Sequence, residues 1–300
     1  MKQSKSKVSV FTYMLKLIEQ LKIAEKYGTA ETYIATMRSL KQFNRRDDLL
    51  FTELNNERLL MYEAYLLKRG LQKNTSSFYM RVLRAVYNRA VDDGIVEHKN
   101  IFKRIYVGID KTIKRSVSQD YIKKIKSLDL KQDYMLNFSR DMFMFSFYTR
   151  GMSFVDIAYL KKSDLSNEML TYRRRKTGQL LSIRVEACMK EIIDRYWNED
   201  SLYLFPIIKE QNRARINYKS TLHTINLKLK IISDMVNSPI PLSMYVARHS
   251  WASIAKNKNI PISIISESMG HSSEYTTQIY LASLNSSVID NANKIIISDI

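Results

Sequence analysis

Apolar residues recur at helical spacing from the start of the chain. In "FTYMLKLIEQL" the residues Phe11, Leu15, Ile18 and Leu21 fall three or four apart, the interval that lines one face of a helix. The first hundred residues continue in the same way and predict four helices separated by short polar breaks. Gly28 and Gly70 stand where helix C-terminal caps are expected. Asn74 or Thr75 is placed to open the last long helix, which stops near Gly94. Along that helix Phe78, Val82, Val86 and Ala90 form an apolar stripe at i to i+4, and Arg81 and Arg84 point away from it. Those two arginines suit a solvated face and a phosphate-binding face equally well.

The period changes once. Between Met169 and Val185, "MLTYRRR" and "LLSIRV" flank "KTGQ". Thr171, Tyr172, Ile183 and Val185 favour extended chain and Gly178 supplies a turn residue, which predicts a β-hairpin with Lys176 at its tip. Helical patterning surrounds the hairpin, and Ser118 is placed to cap the first helix of this second region. Between the two regions runs "KNIFKRIYVGIDKTIKRSVSQDY", cationic and weakly periodic. The expected organisation is a helical domain at 1–103, a basic linker at 104–116 and a second domain at 117–300. The fold class is mainly α, with a small β-hairpin or sheet, in two domains.

Composition agrees with that class and adds a partner. Seven glycines and four prolines in 300 residues are too few for a loop-rich or all-β chain. Lysine and arginine number 48 against 30 acidic residues, a net charge of +18 that concentrates polyanions such as nucleic acid around the protein. Membrane surfaces are a weaker fit. Lys114 and Arg115 in the basic segment join Arg81 and Arg84 as candidate DNA contacts, because a cationic strap between two domains suits a clamp around a duplex. The amino-terminal stretch is not expected to be a signal peptide: Lys16 and Glu19 interrupt its apolar run and no small-residue cleavage site follows. Nothing else is apolar for long enough to span a bilayer. Cys188 is the single cysteine, which leaves no intrachain disulfide or cysteine-based metal cluster and fits a reducing cytoplasm.

The residues that carry chemistry come in the order Arg150, "RRRKTG", "YVARHS" and "GHSSEYTTQIY". This order and spacing resemble the tyrosine recombinase (phage integrase) family over nearly the whole chain, and most of all the integrases and DNA invertases of Bacteroides-type bacteria. The resemblance implies a helical core-binding domain and a catalytic domain closed around DNA as a C-shaped clamp. Gly270 and His271, with Tyr280 nine residues after the histidine, match the glycine-histidine pair and nucleophilic tyrosine of the family. A phenol with a pKa of about 10 is a poor nucleophile until cations or a base favour its ionised form. Attack on a phosphate builds charge on the non-bridging oxygens, which forked guanidinium groups match better than lysine does.

Arg248 occupies the position of the second arginine of that family. Three residues earlier Tyr245 replaces the usual histidine, which implies phosphate contact in place of proton transfer. His249 is read as facing inward to orient its helix, with direct catalysis as the other possibility. In the first motif Ser153 stands at the arginine position and Asp156 at the acidic one. Arg150, nearly one helical turn upstream, is the first candidate to deliver the missing guanidinium, with Arg174 as a second candidate that can share the task. Lys176 matches the hairpin lysine that protonates the departing 5′ oxygen; a nonspecific grip on the backbone is the alternative.

By resemblance, then, the chain is a site-specific recombinase working through a 3′-phosphotyrosine, with no cofactor, ATP or metal, on double-stranded DNA sites as a DNA-bound homotetramer. Integration, excision and inversion all stay open. The apolar tail with Val288, Ile289 and Ile295 to Ile297 either docks on a neighbouring protomer or packs on its own domain. Two rival classes share the charge and the helices: a noncatalytic DNA-binding or architectural protein, and a nick-and-swivel topoisomerase.

Overall fold

The computed structural model describes residues 8–46, 48–110, 115–271 and 273–281 together with Ile297, and leaves the side chains of Ile279 and Tyr280 outside that description. Lys114 and most of the apolar tail therefore lie outside the described residues. The chain divides into two compact units, Met1–Thr112 and Ile113–Ile300. Among the described residues no helix is long and apolar enough to cross a membrane.

The first unit is built from α1 (Val10–Ile23), α2 (Tyr27–Asn44), α3 (Asn56–Lys68) and α4 (Lys73–Asp92) around a core that includes Met14, Leu59, Tyr62, Leu66, Met80 and Leu83. The expected stripe on α4 is present: Val82, Val86 and Ala90 are buried and Phe78 packs against the core. Gly70 adopts the left-handed conformation (φ 79°) after α3. Gly28 does not cap α1. It lies inside α2, and Glu25 is the left-handed residue (φ 55°), with Lys26 N donating to Leu21 O at 2.8 Å to close the turn. The buried face of α1 also differs from the expected stripe. Leu15 is 47% exposed, and Tyr13 turns inward because its hydroxyl finds Asp93 Oδ2 at 2.8 Å.

Gln72 is the residue that precedes α4, so Asn74 and Thr75 fall within its first turn. The Asn74 amide is occupied elsewhere: Asp110 N donates to Asn74 Oδ1 at 2.7 Å and Asn74 Nδ2 donates to Asp110 O at 3.0 Å. Ser77 Oγ donates to Gly108 O and Ile105 is buried. The segment up to residue 110 is thus fastened to α4, and the division between the units falls at 112/113, inside the basic stretch.

The second unit opens with α5 (Gln119–Ser127), which follows Ser118, and α6 (Tyr134–Tyr148), whose Phe138 and Met142–Phe145 stretch is buried against α8 (Ala187–Tyr196), α9 (Ala214–Met235) and α10 (Met244–Asn257). Short α7 (Phe154–Ala158) leads into an antiparallel sheet in the order β1 (Leu165–Ser166), β2 (Met169–Arg173), β3 (Leu180–Arg184). The β2–β3 hairpin pairs Arg173 with Leu180 and Met169 with Arg184, and β1 adds a third strand that periodicity could not show because it has only two residues. After α10 come α11 (Ile262–Ser268) and α12 (Glu274–Tyr280).

Candidate active site

Three backbone devices gather cationic side chains within the second unit. The first is a pair of left-handed residues after α6, Arg150 (φ 60°) and Gly151 (φ 75°). A Cβ on Gly151 would lie 2.9 Å from Arg248 Cγ and 3.0 Å from Arg248 Cα, so glycine is needed there for space as well as for backbone freedom. The second is strand alternation. On β2, Leu170 and Tyr172 are buried while Met169, Thr171 and Arg173 are exposed, and the same two-residue phase carries Arg174 inward, to 5% exposure, and Arg175 outward. The third is Gly270, left-handed (φ 65°) at the end of α11, where a Cβ would meet Leu181 Cδ1 at 2.9 Å and Arg174 Cδ at 3.1 Å.

Arg248, on α10 and 5% exposed, is the hub. Its Nη1 donates to Gly151 O at 2.5 Å, and its Nη2 donates to Met269 O and to His271 Nε2, each at 2.8 Å. A guanidinium can only donate, so the His271 nitrogen facing it carries the lone pair. The other ring nitrogen, Nδ1, therefore bears the hydrogen and donates to Thr277 Oγ1 on α12 at 2.7 Å. Burial, and then the positive charges of Arg248, Arg174 and Lys176, hold the His271 pKa down at about 3. The imidazole is neutral at physiological pH, wedged between a guanidinium and a threonine.

Arg174 donates from Nη1 to the Gly270 carbonyl, which places it against the residue preceding His271. Lys176 is exposed at the hairpin tip, as its place in the turn requires, and its charge reaches His271. Arg150 is half-buried; its charge, with those of Arg248 and Arg174, reaches the hydroxyl of Tyr172, opposed by Asp156. Burial dominates there and pushes the Tyr172 phenol up, so this tyrosine stays protonated inside the cationic pocket. Tyr172 was not apparent as part of the pocket from its strand pattern, which gives a face but not what lies opposite.

Ser153, where the resemblance expects an arginine, is engaged with α7. Its Oγ donates to Asp156 Oδ2 at 2.6 Å at the start of α7, and Asp156 Oδ1 accepts from Arg175 N at 2.9 Å. The pair moors the hairpin turn to α7, and Arg175 lies over the Tyr159 ring with its guanidinium carbon 3.8 Å from the centroid. Tyr245 is 53% exposed one turn before Arg248, and its ring meets the buried His249 edge-on with centroids 4.3 Å apart. His249 is thus packed into the body of the domain. Tyr280 is the last residue of α12, three positions after Thr277. In the remaining basic set, Arg84 and Arg115 are exposed and Arg81 is half-buried.

Comparisons with known proteins agree with this layout. Residues 9–107 match the phage integrase SAM-like domain and residues 139–286 match the phage integrase family. The chain is 27% identical over 179 residues to the tyrosine recombinase XerA of Pyrococcus furiosus, covering 57% of this chain and 58% of that one. It is 25% identical over 234 residues to XerA of Thermococcus onnurineus, covering 76% and 77%. Among solved structures it is similar to the Tn1549 transposon integrase in complex with a circular intermediate DNA, with a TM-score of 0.68, 15% identity and coverage of 96% of this chain and 100% of that one. It is also similar to a lambda integrase tetramer bound to a Holliday junction, with a TM-score of 0.62, 16% identity and coverage of 93% and 79%. With residues 9–107 and 139–286 matching its two domains, the chain belongs to the phage integrase family of tyrosine recombinases.

Proposed function

We propose that the protein is a site-specific DNA recombinase that cuts and rejoins DNA through a 3′-phosphotyrosine at Tyr280. One observation carries the reading: the hydrogen-bonded line Arg248–His271–Thr277, which ends one helical turn before Tyr280. In the step that follows from it, the positive charges gathered in the pocket favour the ionised phenol, whose proton passes to solvent, and the phenolate oxygen attacks the scissile phosphorus while neutral His271 holds Arg248 in place. The P–O5′ bond breaks as the new P–O bond forms, and the Lys176 ammonium protonates the departing 5′ oxygen. Arg248 and Arg174 donate to the non-bridging oxygens. Reversal with a 5′ hydroxyl from a second duplex reseals the strand, and the phosphate ester keeps the bond energy throughout.

Arg174 is the replacement for the arginine lost at Ser153. It is fixed beside His271 by its bond to the Gly270 carbonyl and is preferred on that ground to Arg150, the first candidate from the sequence, whose charge reaches Tyr172. Tyr245, exposed on the same helix as Arg248, contacts phosphate as a neutral donor. Arg81 and Arg84 grip the DNA backbone from a domain at 1–103, and Lys114 and Arg115 from the basic stretch at 104–116 that precedes a domain at 117–300. Because the lambda integrase relative is a tetramer on a Holliday junction, we extend to this chain a homotetramer acting on paired recombination sites, in the manner of the integrases and DNA invertases of Bacteroides-type bacteria. A cytoplasmic location follows from that substrate.

The test is a nicked suicide substrate carrying the recombination site. The intact chain is expected to form a denaturant-resistant protein–DNA adduct that Tyr280→Phe does not form. Sequence-specific binding without any adduct would instead favour a noncatalytic architectural protein. Relaxation of plasmid lacking the site would favour a topoisomerase.

A further inference from the structure

Thr277 is fully buried on α12, yet its hydroxyl accepts from His271 Nδ1 at 2.7 Å while the opposite ring nitrogen sits 2.8 Å from Arg248 Nη2. The imidazole is thus a strut with one end on the phosphate-binding guanidinium and the other on the helix that carries Tyr280. We propose that Thr277 is a positioning residue that fixes the His271 tautomer, with Nδ1 protonated and Nε2 bearing the lone pair, and ties the placement of Tyr280 to Arg248. This rests on the reading of Tyr280 as nucleophile given above.

The chemistry of the three partners dictates the arrangement. Arg248 has no lone pair to offer, so a protonated Nε2 facing it sets two donors against each other. A neutral imidazole has one proton to place, and Nδ1 meets a hydroxyl oxygen able to accept it. With valine at 277 the shape of the side chain is kept but the acceptor is gone, so Nδ1–H is left buried without its oxygen or the ring turns over. In the second case a protonated Nε2 is turned against the Arg248 guanidinium and the bond that holds it is lost. Geometry adds a second effect: Thr277 and Tyr280 are three residues apart on one short helix, so a tether at 277 also restrains the backbone that carries 280. Serine keeps the hydroxyl and loses a methyl group.

The experiment uses the full chain in three forms: unmodified, Thr277→Val and Thr277→Ser. Two readouts are taken, the single-turnover rate of adduct formation on the nicked substrate and the 15N shifts of the His271 ring nitrogens. Only four histidines are present, and the His271 signals are assigned by their loss in His271→Asn. The unmodified chain is expected to show protonated Nδ1. Thr277→Val is expected to lose the fixed tautomer and to cleave about ten- to a hundredfold more slowly with unchanged DNA affinity, and Thr277→Ser to restore most of the rate. A protonated Nε2 in the unmodified chain overturns the proposal whether or not either variant folds. A Thr277→Val protein that cleaves at the unmodified rate overturns it as well. Absence of any adduct with the unmodified chain would be a failure of the recombinase reading, and the nitrogen shifts would still decide the tautomer.

Discussion

Gly151 and Arg248 are in such close contact that the arginine fills the space a side chain at 151 would need: a Cβ there would lie 2.9 Å from Arg248 Cγ. Substituting Gly151→Ala adds this clash to the strain of a left-handed backbone (φ 75°) and is expected to destabilise the fold by roughly 1–3 kcal/mol in chemical denaturation. Gly178 is the control, since it is also left-handed (φ 72°) but a Cβ added to it would meet nothing within 4 Å. Gly178→Ala is expected to cost about 1 kcal/mol. Equal losses at the two sites would show that contact with Arg248 contributes nothing.

Stability is expected to fall in mild acid because of His271. Its folded pKa of about 3 lies below the ordinary value of 6.5, so between those limits the unfolded chain binds a proton that the folded chain does not. The contribution is complete above pH 6.5 and is lost as the pH falls toward 3. The melting temperature of the unmodified chain should drop across that window, and His271→Asn, which removes the titrating group, should flatten the slope. An unchanged slope in His271→Asn would mean that the histidine does not titrate as its surroundings dictate.

Arg174 and Arg150 make distinct predictions for the missing arginine. Arg174→Ala is expected to slow adduct formation by roughly 10²- to 10³-fold, the scale for losing one fixed donor to a developing oxyanion. Arg174→Lys keeps the charge but not the fork and should recover only part of that loss. Arg150→Ala is expected to cost less. Single-turnover rates decide the order, with circular dichroism as the check on folding, and a larger loss for Arg150→Ala would transfer the role to that residue.

Ser153 is expected to matter for stability more than for phosphate contact. Ser153→Ala removes the 2.6 Å hydrogen bond to Asp156 and should cost about 1 kcal/mol, with little change in salt-dependent DNA binding. A large loss of affinity without loss of stability would place Ser153 at the phosphate instead.

How much of this was legible in the sequence differs from residue to residue. The hairpin and its lysine followed from β-branched residues around Gly178, and the inward turn of Arg174 follows from the same two-residue period that buries Tyr172. The stripe on α4 followed from i to i+4 spacing. Local pattern failed where a tertiary partner decided the outcome. Tyr13 turned inward for Asp93, and Asn74 served Asp110 in place of a helix end. In the site, motif order singled out Arg248 and His271, which lie in hydrogen-bond contact, but the bond from the histidine to Thr277 depends on how α12 meets α11. Ser153 could be seen as a departure from the family, whereas its bond to Asp156 could not.

Everything turns on which oxygen becomes joined to DNA, and the chain has 19 tyrosines to choose from. Adduct trapped on the nicked substrate, digested with protease and nuclease and mapped by mass spectrometry, measures this directly. The expected result is one peptide carrying a nucleotide on Tyr280. A nucleotide on any other residue would contradict the assignment of Tyr280 as the nucleophile.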